Sequence, residues 1–179
     1  GMFQQDLLTS VGFLKNYEYY NNPYLNNNNS IFAFNPVDTT QPPVRLIDRT
    51  CDDFDELKGQ YHCFLQSIRM LSCRQENVWS LQKKQWSIAA LAIDNRNHVL
   101  FLFSLSPYPV HTFINMALTL PLSIQRMMYL EGGSAASFYL SVENFKVVKY
   151  GSFETGFLEN GHISTPLPIP NVLGIVKRK

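Results

Sequence analysis

The stretch Arg126-Met-Met-Tyr-Leu-Glu-Gly-Gly-Ser-Ala-Ala-Ser-Phe-Tyr-Leu140 constrains this chain more than any other. An apolar run, Met127 to Leu130, ends on a carboxylate, Glu131. Two glycines, Ser134, two alanines and Ser137 precede a second apolar run, Phe138 to Leu140. Short apolar runs bounded by turn residues read as buried strands. Gly132 and Gly133 mark a tight turn or a close approach of backbone. A carboxylate there, beside bare backbone N–H groups, suits acid–base chemistry on an anionic substrate. The same residues also read as a Gly-Gly hairpin between two core strands, with Glu131 at its solvated rim.

The 179 residues fit one domain, 1–179, and are enough to bury a core. The low charged fraction, 16% against 45% hydrophobic, belongs to a globular chain and excludes a disordered one. A net charge of +1 gives no electrostatic reason to expect nucleic acid or an anionic membrane surface. No apolar run approaches the length of a membrane span. The opening residues do not read as a signal peptide, since Gln4, Gln5 and Asp6 stand where a basic and then apolar stretch would be. Cys51, Cys63 and Cys73 lack zinc-type spacing. They read as buried or free thiols, with one disulfide left open. No metal and no cofactor is expected.

Residues 1–30 mix aromatics with asparagines and predict an irregular segment with one strand near Gly12–Lys15. Ile31–Phe34 predicts a short strand, and Gln41-Pro42-Pro43 an extended connector. Asp52–Leu57 predicts one or two helical turns capped by Asp52 or Asp53. Tyr61–Ser72 reads as one strong strand. Within it Arg69 sits among apolar residues, where an unpaired charge is costly. It calls either for a partner carboxylate or for a bound anion. Trp86–Ile93 and His98–Ser104 predict two strands, with Asp94 in the hairpin loop between them.

The main helix is expected at about 107–120. Val110, Phe113, Ile114, Ala117 and Leu118 form one apolar face. Ser106 and Pro107 suit its N-cap and first position, and Pro109 offers a start two residues later. His111, at the edge of that face, could point to a site above the helix N-terminus or simply lie half-buried. A strand over Phe145–Tyr150, a loop over Gly151–Pro170 and a final strand over Val172–Val176 follow. The order predicts an α+β fold, a mixed, largely antiparallel twisted sheet with one main helix and short helical turns.

Several motifs, in order, resemble the phosphodiester glycosidase family, the family of N-acetylglucosamine-1-phosphodiester alpha-N-acetylglucosaminidase, and within it a bacterial branch. Tyr129-Leu-Glu-Gly-Gly-Ser134 is similar to the family's Leu-Asp-Gly-Gly or Leu-Glu-Gly-Gly strand end. Gln66-Ser-Ile-Arg-Met-Leu71 is similar to its Gln-Ser/Asn-x-Arg-Met-Leu strand. Trp86–Asp94, Ser106-Pro-Tyr-Pro-Val-His-Thr-Phe113 and Ile169-Pro-Asn-Val-Leu-Gly-Ile175 also look like family segments. Leu105, Pro109, Thr112, Ser134 and Ala135 depart from the branch pattern. Where Leu105 stands the pattern has Arg, a bidentate phosphate donor.

The resemblance implies a hydrolase that cleaves the glycosidic bond of a sugar phosphodiester. Glu131, His111 and Arg69 would be its catalytic groups: Glu131 as acid–base or nucleophilic carboxylate, Arg69 as phosphate clamp, His111 as a second proton-transfer group. Gln66, Gly132, Gly133, Ser134 and Ser106 would bind a small-molecule or glycan substrate. The alternative is a protein that keeps the fold and binds carbohydrate or a partner without turnover. Family members are often exported, which implies a place outside the cytoplasm. Gly1-Met2-Phe3 resembles the end of an Asn-Ala-Gly-Met-Phe motif, so the chain is expected to start inside the family domain, without its first strands. An unpaired sheet edge and a homodimer through it are then expected.

Overall fold

The computed structural model describes residues 2–153 and 167–177. Eleven strands and two helices run in the order β1 (Leu14–Asn16), β2 (Tyr19–Asn22), β3 (Ser30–Pro36), β4 (Val44–Asp48), α1 (Phe54–Leu57), β5 (Tyr61–Ser67), β6 (Arg69–Leu71), β7 (Trp86–Asp94), β8 (Val99–Tyr108), α2 (Val110–Thr119), β9 (Ile124–Gly132), β10 (Ser137–Val142) and β11 (Phe145–Tyr150). The fold is α+β and dominated by sheet. Every strand ladder is antiparallel. A five-stranded sheet has the order β2-β1-β5-β3-β4, a four-stranded sheet β6-β9-β7-β8, and β10-β11 form a separate hairpin.

Strand periodicity explains how the sheets stack. Alternate side chains of a strand leave on opposite faces. Along β7, Ala89, Leu91 and Ile93 face one way, into a core shared with Met128 and Leu130 of β9 and with Phe32, Leu46 and Leu65 of the five-stranded sheet. Ile88, Ala90 and Ala92 face the other way, into a second core closed by Val110, Phe113, Ile114 and Ala117 of α2. The outer face of the five-stranded sheet, with Ile31, Ala33, Tyr61 and Phe64, is covered by Leu57 and Phe54 at α1. The layers are therefore helix, sheet, sheet, helix. β7 is apolar without interruption from Ile88 to Ile93 because both its faces are covered.

The helices follow local chemistry. Asp53 caps α1, its carboxylate accepting from the N–H groups of Asp55 and Glu56. α2 begins later than 107, with Pro109 as its N-cap. β8 runs on through Ser106, Pro107 and Tyr108 and takes up the residues expected to open the helix. The expected single strand over Tyr61–Ser72 is two strands in different sheets, broken at Ile68. An apolar run that crosses from one sheet to the next has no sequence mark for the crossing. β2 and β4 were not anticipated. Both are short, and β4 carries Arg45 within its apolar pattern. Val172–Val176 forms no strand and is largely exposed. The expected loop over Gly151–Pro170 lies largely outside the described residues.

Cys51 and Cys73 form a disulfide with Cα atoms 6.6 Å apart, and Cys63 is a buried free thiol. The bridge closes a loop over a separation of 22 residues. A loop of that size confers about 3 kcal/mol in the chain-entropy account. Reduction of the folded protein should lower its unfolding free energy in urea by that amount, and its midpoint accordingly. Equal midpoints with and without reductant would show that the bridge adds nothing.

Candidate functional site

Glu131 stands at a break in the β7–β9 ladder. Ala90 pairs with Tyr129 and Ala89 with Glu131, so Leu130 is an extra residue on β9. Such a bulge re-aims the side chains around it. Burial pushes the Glu131 carboxyl above the ordinary glutamate value, and the Gly132 N–H, which donates to Oε1 at 3.1 Å, opposes that rise. Near it, Tyr129 receives a hydrogen bond on its hydroxyl oxygen from Trp86 Nε1 at 3.0 Å. Burial, and then the charge of Glu131, raises the Tyr129 hydroxyl, while the Trp86 bond lowers it. Tyr129 therefore keeps its proton at neutral pH and can donate it.

Gly132 is required by packing and Gly133 by its backbone conformation. A Cβ on Gly132 would lie 1.8 Å from the Tyr129 hydroxyl and 2.6 Å from the Trp86 ring. Gly133 has φ +63° and opens a short 3₁₀ turn, Gly133–Ala135. The Phe153 ring stands where its Cβ would be, 2.1 Å away. So the Gly-Gly pair is a close approach of backbone to aromatic rings, and the residues after it form a turn of helix instead of a two-residue hairpin. The Gly132 N–H is already taken by Glu131. Ser134 is half-buried in the 3₁₀ turn.

The other expected site residues are placed elsewhere. Arg69 has a carboxylate partner: Nη1 donates to Asp48 Oδ1 and Oδ2 at 2.7 and 2.9 Å and to Thr50 Oγ1 at 2.6 Å. This answers the choice left by its apolar surroundings in favour of an ion pair. Burial would raise Asp48, but hydrogen bonds from the Thr50 N–H and hydroxyl, the Cys73 N–H and Arg69 outweigh it and hold the carboxyl below its ordinary value. Gln66 is buried with its amide fully used. Its oxygen accepts from Phe13 and Asn26 N–H, and its nitrogen donates to Asn26 and Asn28 carbonyls. An amide has two donors and two acceptor sites, so none is left for a ligand.

His111 is half-buried on α2, with Nδ1 3.4 Å from the Asn115 amide nitrogen. Arg69 pairs with Met128, which faces the seam between the sheets, whereas α2 packs on the opposite face. A sheet therefore separates Arg69 from His111. Ser106 is an exposed β8 residue whose carbonyl accepts from Ser104. Among the described residues no hydrogen bond or ion pair joins Glu131 to Arg69 or His111. Two open grooves, of about 310 Å³ beside Arg45, Asn97 and Arg126 and about 460 Å³ along Arg49 to Asp55, are lined by none of the three.

Sequence reasoning missed Asp48, Tyr129 and Trp86. The need of Arg69 for a counter-ion could have pointed to Asp48, the one acid that ends an apolar run upstream of it. Nothing in the spacing of Trp86 and Tyr129 marks their contact. Compared with models of known protein families, with curated proteins and with solved structures, the chain matches none.

Removing Asp48 leaves a largely buried guanidinium unpaired, which costs about 3 kcal/mol or more. Asp48→Ala should lose that much in urea unfolding, and Asp48→Leu with Arg69→Met should regain part of it. The lowered carboxyl also sets a pH window. Its contribution is whole above the ordinary value of 3.8 and is lost as the pH falls through the lower folded value. An acid-unfolding profile unchanged by Asp48→Asn would contradict this assignment.

Proposed function

We propose that the chain is a hydrolase that cleaves the glycosidic bond of a sugar phosphodiester, with Glu131 as its acid–base carboxyl group. The observation that carries this reading is the environment of Glu131. It is a desolvated carboxyl, raised above its ordinary value, at a bulge and within electrostatic reach of Tyr129. A raised carboxyl holds a proton that it can give to a leaving oxygen. The Tyr129 hydroxyl, held by Trp86, feels the charge of Glu131. The motif resemblance supplies the reaction class. Arg69 and Gln66 leave the proposal as ligand-binding groups, because Asp48 and backbone amides hold them.

One observation favours the second reading, a carbohydrate- or partner-binding protein without turnover. A departing phosphate needs strong electrostatic stabilisation. Arg69, the guanidinium expected to supply it, is neutralised by Asp48.

A panel of sugar-1-phosphodiesters separates the readings. Turnover should fall as pH rises through the raised Glu131 value, because the protonated form is the active one. Glu131→Gln should remove turnover and leave the unfolding temperature at pH 7 equal or higher, since the amide carries no buried charge. Full activity in that variant would refute the role of Glu131. Glycan binding that survives Glu131→Gln, with no turnover in the parent protein, would favour the binder.

A further inference from the structure

The four edges of the two larger sheets are not alike. β2 has four residues, two of them asparagines. β6 has three residues and is blunted by a bridge from Leu71 to Asn77. β4 carries Arg45, and its Leu46 carbonyl accepts from Arg126. β8 has ten residues, Val-Leu-Phe-Leu-Phe-Ser-Leu-Ser-Pro-Tyr, without one charge. It pairs with β7 on one side, and among the described residues its other side carries no strand. Natural sheets protect long edges with charge, proline, bulges or brevity. β8 has Pro107 and a bulge between Ser104 and Tyr108, both near its far end, and the ladder from Val99 to Ser104 is regular.

The edge also adjoins exposed apolar surface. Phe138 of β10 stacks on Phe103 of β8 with ring centroids 5.9 Å apart. The same hairpin exposes Tyr139 at 64%, Val142 at 55% and Phe145 at 59%. An unpaired ladder and a hairpin that exposes these apolar residues beside Lys146 and Lys149 thus meet at one side of the molecule.

We infer that this side is the interface between two copies of the chain, with β8 pairing antiparallel to its own copy across a two-fold axis. A strand is complementary to itself in that arrangement, as an isologous interface requires. Centring the pairing on Leu102 sets Leu100 opposite Ser104 and Phe101 opposite Phe103, and keeps the bulge and Pro107 outside the ladder. No like charges meet along it. The net charge of +1 adds little repulsion between copies. Five paired residues span about 17 Å of an edge about 10 Å thick, on the order of 170 Å² per chain. A standard interface needs about 800 Å² per partner. The ladder alone is too small, so the apolar hairpin is part of the contact.

Sedimentation of the whole chain should give twice the monomer mass of 20.6 kDa. Alternate amides of residues 100–104 should exchange more slowly as concentration rises. Leu102→Lys, which places two charges opposite each other on the axis, and Phe145→Asp, at an exposed position, should each weaken the dimer about tenfold or more. The second variant leaves the core untouched, so it stands even if the first fails to fold. A monomer at the highest soluble concentration overturns the inference, whether the outer β8 amides exchange freely or are protected within one chain. So does a dimer whose affinity and β8 exchange ignore Phe145→Asp.

Discussion

The turn from Asp48 to Asp52 is the point on which the two sheets depend. Asp48 ends β4 in the five-stranded sheet and accepts from Arg69 of the four-stranded sheet. It also accepts from the Cys73 N–H. Cys73 is bonded to Cys51 in the same turn. Asp52 is paired with Arg126 of β9, whose guanidinium also donates to the Leu46 carbonyl. Two ion pairs and a disulfide therefore cross one seam within five residues of chain. The apolar seam beside them holds the sheets face to face without choosing a register, because hydrophobic burial has no direction. Charged hydrogen bonds have direction and fix how the sheets meet. A buried pair of this kind adds little net energy, but its geometry admits one arrangement.

The same seam accounts for what happened to the expected site. Arg69 and Asp48 satisfy each other, and a guanidinium bound by a carboxylate is a poor receptor for a phosphate. Gln66 is likewise committed, holding the asparagine-rich segment by the Asn26 and Asn28 carbonyls. Glu131 differs. It lies at the far end of β9 from Arg126, past the bulge, with one backbone N–H to offset its desolvation. Its raised value makes the ionised form unfavourable for folding above the ordinary glutamate value of 4.5. A desolvated carboxyl within electrostatic reach of a buried tyrosine is an expense the fold does not need for packing, and that singles it out.

Much of the architecture was legible. The apolar periodicity of Val110 to Leu118 marks α2, and the Asp-rich start marks α1 with its Asp53 cap. The hairpin of β7 and β8 follows from two apolar runs about the Asp94 turn. These signals are local: each depends on neighbours within a few residues. The break at Ile68 was not legible, because residues on both sides are equally apolar and the change of sheet is made by distant strands. The start of α2 was ambiguous, because Pro107 suits both a helix opening and the end of an edge strand. The missing ladder at Val172–Val176 is of the same type, since strand propensity alone does not provide a neighbour.

The sequence by itself determined the class of fold, the helix faces, the turn residues and the presence of a carboxylate before two glycines. Those follow from side-chain period, capping chemistry and backbone sterics, all short-range. Only the tertiary structure decided that Arg69 meets Asp48, that Gln66 serves the backbone, and that α2 places His111 behind a sheet. Each outcome depends on which groups far apart in the chain are brought within about 3 Å, the reach of a hydrogen bond. That reach is set by the stacking of the sheets, which no single stretch of sequence contains.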